Sequence, residues 1–123
     1  MCELVYTELG IEFHMCDFKY TELGRKFRLS AQGALLGTIT PNIRQIFIGL
    51  VEKTVQFVVI FDGEISEDDE DNMSCVGTEI ISDFSEFGDG KLLYNEQFLS
   101  IPYPEQYVVP ENHFCVYARK EQA

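Results

Sequence analysis

The sequence predicts an α+β domain with the order α-β-β-α-β-β, in which a four-stranded, mainly antiparallel sheet carries both helices on one face. Three observations lead there. Two β-branched and aromatic runs, 43–51 and 54–61, are separated only by the polar pair Glu52-Lys53. A capping serine, Ser66, precedes an apolar stripe at helical spacing. In the last third, two short strand-like runs are divided by prolines that sheet pairing does not tolerate.

Taken in order, residues 1–10 (MCELVYTELG) recur as MCDFKYTELG at 15–24, with seven of ten positions identical. A period of 14 seen twice is too short for a solenoid unit. The second copy opens on Met15, so residues 1–14 read as a duplicated extension, dispensable or adding a short strand, and 15–123 as the single domain. Arg25, Lys26 and Arg28 form a basic cluster, after which Ser30 is expected to cap a short helix through Ala31, Ala34, Leu35, Leu36 and Ile39. Gly33 and Gly37 disfavour such a helix, and their presence predicts close approach to another backbone, most simply the sheet. Thr40-Pro41-Asn42 ends it. In the hairpin that follows, Val55, Phe57, Val59 and Phe61 share one face and Thr54 and Gln56 point away. The second helix starts at Ser66, paired with Asp69 in a capping pattern, and Glu67, Asp68 and Asp69 sit where the helix dipole favours acids. Met73, Val76, Gly77, Ile80, Ile81 and Phe84 form its buried stripe. Its outward ridge is Asp68, Asp71, Cys75, Glu79, Ser82 and Glu86. Residues 87–90 form a loop, and strands are expected at 96–101 and 113–119 around the loop 102–112.

The chain has 123 residues, 46% of them hydrophobic, and a formal net charge of −12. A domain of that size buries roughly two thirds of its unfolded surface and stands without disulfides or metal. Net negative charge opposes the counterion release that drives binding to nucleic acid or to an anionic bilayer, so neither is an expected partner. No apolar run spans a bilayer, the N-terminus lacks the basic start of a signal peptide, and the protein is placed in the cytoplasm. There Cys2, Cys16, Cys75 and Cys115 stay reduced. The charge is concentrated: residues 62–90 hold 11 acids and no Lys or Arg, while the rest of the chain holds 10 acids against 9 bases. A segment so one-sided is a directed electrostatic surface that suits a basic partner, and simple solubility would not require it.

Chemistry is less evident. Only two histidines exist, and no GxSxG, P-loop, GxGxxG or HExxH pattern occurs, so no catalytic residue is assigned. His14-Met15-Cys16 and His113-Phe114-Cys115 would offer a His2Cys2 set, but they lack the turn-borne knuckles of structural zinc sites and read as ordinary strand residues. The run 67–71 lacks the central glycine and spaced ligands of a calcium loop. No metal and no cofactor is expected. The contact residues are taken as Asp62, Glu64, Asp68, Asp71, Glu79, Asp83 and Glu86, with the aromatic, proline-bearing loop at Tyr103 and Tyr107 as the other candidate surface.

Arg28-Leu29-Ser30-Ala31-Gln32-Gly33-Ala34-Leu35-Leu36-Gly37, Thr40-Pro41-Asn42-Ile43-Arg44, the stretch from Phe61 through Asp68, and Thr78-Glu79-Ile80-Ile81-Ser82-Asp83-Phe84 resemble a family of small bacterial proteins. Ile101-Pro102-Tyr103-Pro104 and Val116-Tyr117-Ala118-Arg119-Lys120-Glu121 continue the resemblance over about residues 24–121. These proteins are immunity proteins of contact-dependent growth inhibition and related toxin systems. The resemblance implies a non-enzymatic inhibitor of one cognate toxin domain, commonly a nuclease, encoded next to it. An adaptor for another basic protein is the alternative function, and a small enzyme the third.

Overall fold

The computed structural model describes residues 4–6, 12–14, 21–84 and 92–121. Two short strands, β1 (Leu4–Tyr6) and β2 (Glu12–His14), pair with each other antiparallel and not with the main sheet. The main sheet has the order β5-β4-β3-β6, built from β3 (Ile43–Val51), β4 (Thr54–Phe61), β5 (Leu93–Ser100) and β6 (His113–Ala118). Two helices, α1 (Glu22–Leu35) and α2 (Glu67–Ser82), cover one of its faces.

β3 and β4 pair from Ile43↔Phe61 down to Val51↔Thr54, closed by Glu52-Lys53 with Glu52 at φ 57°. Val55, Phe57, Val59 and Phe61 point to the helices and form the main core with Ile43, Ile46 and Ile48. Both faces of this hairpin are buried. Phe47, Val58 and Ile60 make a second, smaller core on the far face, covered by Leu99, Ile101 and Tyr107.

The sheet is mixed. β3 pairs antiparallel with β4 and β6, but β5 runs parallel to β4, with Thr54↔Leu93 through Phe61↔Ser100 in register. The reason is the connection: α2 lies between β4 and β5, and a helical crossover returns the chain to the starting end of the sheet. β5 also begins three residues before the expected position 96.

α1 corrects the sequence-based expectation at its start. Its N-cap is Thr21, whose hydroxyl accepts the Gly24 N–H at 2.9 Å, so the basic cluster rides on the helix and Ser30 lies inside it. Gly24, Phe27, Ala31, Ala34 and Leu35 form its buried stripe. Gly33 does not approach the sheet: it is exposed, and a Cβ there would meet nothing within 4 Å. Gly37 has a local role instead, taking φ +76° in the turn where the Thr38 N–H reaches the Leu35 carbonyl.

α2 follows the expected phase. Ser66 accepts the Asp69 N–H at 3.0 Å, and Met73, Val76, Gly77 and Ile80 are buried. Gly77 is where β5 crosses closest, since a Cβ there would overlap the Tyr94 hydroxyl, which donates to Glu96 at 2.8 Å. The helices run antiparallel. Ser30 meets Asp83 at the end of α2, Asn72 donates to the Thr38 carbonyl just past α1, and the Phe27 and Phe84 rings stack at 3.8 Å.

Candidate partner-binding surface

The outward side of α2 exposes Asp68, Asp71, Cys75, Glu79 and Ser82, one face of the helix. Among the described residues, no ion pair reaches Asp68, Asp71 or Glu79. Their field is therefore directed outward and uncompensated within the described chain. Glu64, at the foot of the helix, is also exposed, and its carbonyl accepts from Asn42 Nδ2 at 3.1 Å. Glu86 lies outside the described residues.

Other acids of the segment serve the fold. Asp69 faces Thr40 and Asn42, tying the start of α2 to the α1–β3 connection. Asp83 accepts the Ser30 hydroxyl at 2.5 Å. Asp62 accepts Arg119 Nη2 at 2.6 Å and the Tyr103 N–H at 2.9 Å, and the first of these bonds, aided by the second, holds its carboxyl below the usual range.

Tyr103 and Tyr107 stand on the opposite face of the sheet, so the structure does not join them to the α2 ridge. They flank Arg44, which is 5% exposed, with its guanidinium carbon 5.5 and 4.9 Å from their ring centres. A β-bulge between Ile43 and Gln45 turns both Arg44 and Gln45 to this face. Arg44 donates to both carboxylate oxygens of Glu121, at 2.7 and 3.0 Å, and to the carbonyls of Ile101 and Glu105. The bidentate bond raises the Arg44 pKa and lowers that of Glu121. Arg119 links Glu121, Asp62 and the Pro41 carbonyl. The network fastens the C-terminal segment and the 102–112 loop to the sheet. Tyr107 donates to Gln45, and its burial pushes its pKa up. A cavity of about 460 Å³ opens beside these rings, with Val109 and Gln106 in its wall. Sequence reasoning missed Arg44. Its signal was two successive polar residues, Arg44-Gln45, interrupting an apolar strand, which is what a bulge looks like in sequence.

Of the two histidine and cysteine pairs, His113 and Cys115 make contacts within the sheet and its loop. Met15 and Cys16 lie outside the described residues. His113 packs over Gly49 with Nδ1 2.7 Å from the Glu111 carbonyl, and Cys115 Sγ accepts from Gln45 at 3.2 Å. Among the described residues, no three metal-ligating side chains gather, and no helix is long and apolar enough to cross a membrane.

A two-layer scaffold that holds a one-signed helix face toward solvent and fastens its loops by internal ion pairs is compatible with more than one kind of protein. The comparison with protein families says which kind. Residues 24–121 match the model of the MafI2 immunity protein, and the chain belongs to that family. It is an immunity protein of a polymorphic toxin system, with a cognate toxin as its partner. The resemblance read from the sequence holds at that level, and the match is to the MafI2 family, not specifically to the immunity proteins of contact-dependent growth inhibition. No curated protein matches the chain.

Proposed function

We propose that this immunity protein neutralises its toxin by laying the outer face of α2 on a basic, substrate-binding surface of a nuclease-class toxin domain, in the cytoplasm and without turnover of its own. The observation that carries this is the exposure of Asp68, Asp71 and Glu79 along one helix face, within a segment of 11 acids and no base. A nuclease needs a cationic cleft for its polyanionic substrate, and a rigid acidic helix occupies such a cleft with fast, steered association. The resemblance to immunity proteins of contact-dependent growth inhibition supports a toxin encoded beside its inhibitor.

Replacing Asp68, Asp71, Glu79 and Glu86 by Lys reverses the local field. The expected result is association slowed by about two orders of magnitude, loss of protection in cells carrying the toxin, and an unchanged circular dichroism spectrum. Binding of the parent also slows as salt passes ~0.15 M, where screening sets in beyond about 8 Å. If the reversed protein binds and protects like the parent, the ridge is only a solvated face. The contact surface is then the loop around Tyr103 and Tyr107, a reading favoured by the exposure of Val108, 88%, and Tyr103, 39%, within 102–112.

A further inference from the structure

We infer that the seam between α1 and α2 is the anchor pocket of the toxin interface, and that it takes an apolar side chain of the toxin flanked by Lys or Arg. The inference rests on the docking of a basic toxin on the α2 face and names where that docking is fixed.

Two adjoining hollows of about 320 and 330 Å³ run along the seam and share Gly33, Ala34 and Glu79. Their floor is made of the smallest residues of α1. Leu29 and Leu36 rise beside it, one turn to either side of Gly33, and are 73% and 80% exposed. From α2, Glu79 and Asp83 supply the opposite rim. Lys26, a turn before Ser30, faces Glu22 across 3.8 Å on its own helix.

Gly33 is the informative residue. Glycine is the poorest helix former after proline, and at this position nothing in the fold repays its use, because a Cβ would meet open space. What its lack of a side chain does preserve is depth in the seam. The two leucines are exposed on the side of α1 facing away from its buried stripe, so they contribute little to the core. A glycine hollow between two exposed leucines has the form of a socket for an apolar anchor. The charge of the rim identifies its neighbours. Asp83 caps the C-terminus of α2, where the helix dipole is already negative, and no base occupies that last turn. An incoming cation beside Glu79 and Asp83 relieves this arrangement. The occupant is a basic, apolar-tipped segment of the toxin, since two copies of this chain, each of formal net charge −12, repel one another.

Filling the socket tests this without touching the core. Gly33→Ala and Gly33→Phe are expected to fold, with melting temperatures equal to the parent or higher. With the purified cognate toxin domain, Gly33→Phe should raise the dissociation rate at least 100-fold while leaving the association rate within about threefold. Leu29→Ala with Leu36→Ala should raise it about tenfold at unchanged melting temperature. If Gly33→Phe melts like the parent and dissociates from the toxin at the parent's rate, the seam is not the anchor and the inference fails, while slowed association of the charge-reversed ridge would still uphold the docking on α2. If neither variant alters binding, both fall. A parent dimer in sedimentation that Gly33→Phe converts to monomer would assign the seam to a second copy and overturn the inference.

Discussion

Arg44 and Glu121 show what a single residue contributes through a partner that sequence order hides. They lie 77 positions apart, and no periodicity links them, so the pair was illegible until the bulge at Arg44 and the return of β6 brought them together. Asp68, Asp71 and Glu79 were legible for the opposite reason, since helical phase alone puts them outward. The internal pairs also set a pH dependence. Asp62 and Glu121 are held below the ordinary carboxylate range, first by the hydrogen bonds from Arg119 and Arg44 respectively. Their contribution is complete above the unfolded value of about 4 and is lost as pH falls through the lowered folded values. Glu121→Gln should therefore lower the melting temperature by about 3–6 °C at pH 7, the shift expected for ~1 kcal/mol. The gap to the parent should close toward pH 2. A gap of the same size at both pH values would mean that charge plays no part in the pair.

Among the elements, those whose signals are local matched the sequence closely. The β3–β4 hairpin has the expected limits because two periodic runs and a two-residue turn specify each other. The Ser66 cap and its stripe fix α2 in the same way. α1 starts earlier than the sequence suggests because its cap, Thr21, is followed three residues on by Gly24 and not by the Glu or Gln of a capping box, while Ser30 imitates a start. The parallel direction of β5 follows from the crossover through α2, which periodicity within the strand does not encode. The phase of α2 yields a sharp contrast. Ile80, 2% exposed, should cost roughly 2–5 kcal/mol on replacement by Ala, whereas Glu79→Ala should stay within about 0.5 kcal/mol of the parent in denaturant unfolding. The reverse pattern would put the wrong face of α2 in the core.

At the scale of the whole molecule, the uneven distribution of charge was readable at once, and the antiparallel helix seam was not, since it depends on how two separate helices meet. The family match begins at residue 24, and among the described residues β1 and β2 pair with each other, outside the main sheet. A chain starting at Met15 should melt within a few degrees of the full chain; a fall of more than about 10 °C would make the extension an integral part of the fold. The two-residue turn at Glu52-Lys53 bears on time as well as on shape. β3 and β4 can zip together before either edge strand arrives, whereas β6 must return from the far end of the chain. The central hairpin is therefore expected to nucleate folding, with β6 docking late. Damage to the hairpin should then slow folding and damage to β6 hasten unfolding, which would store the working lifetime of this inhibitor in an edge strand far in sequence from α2.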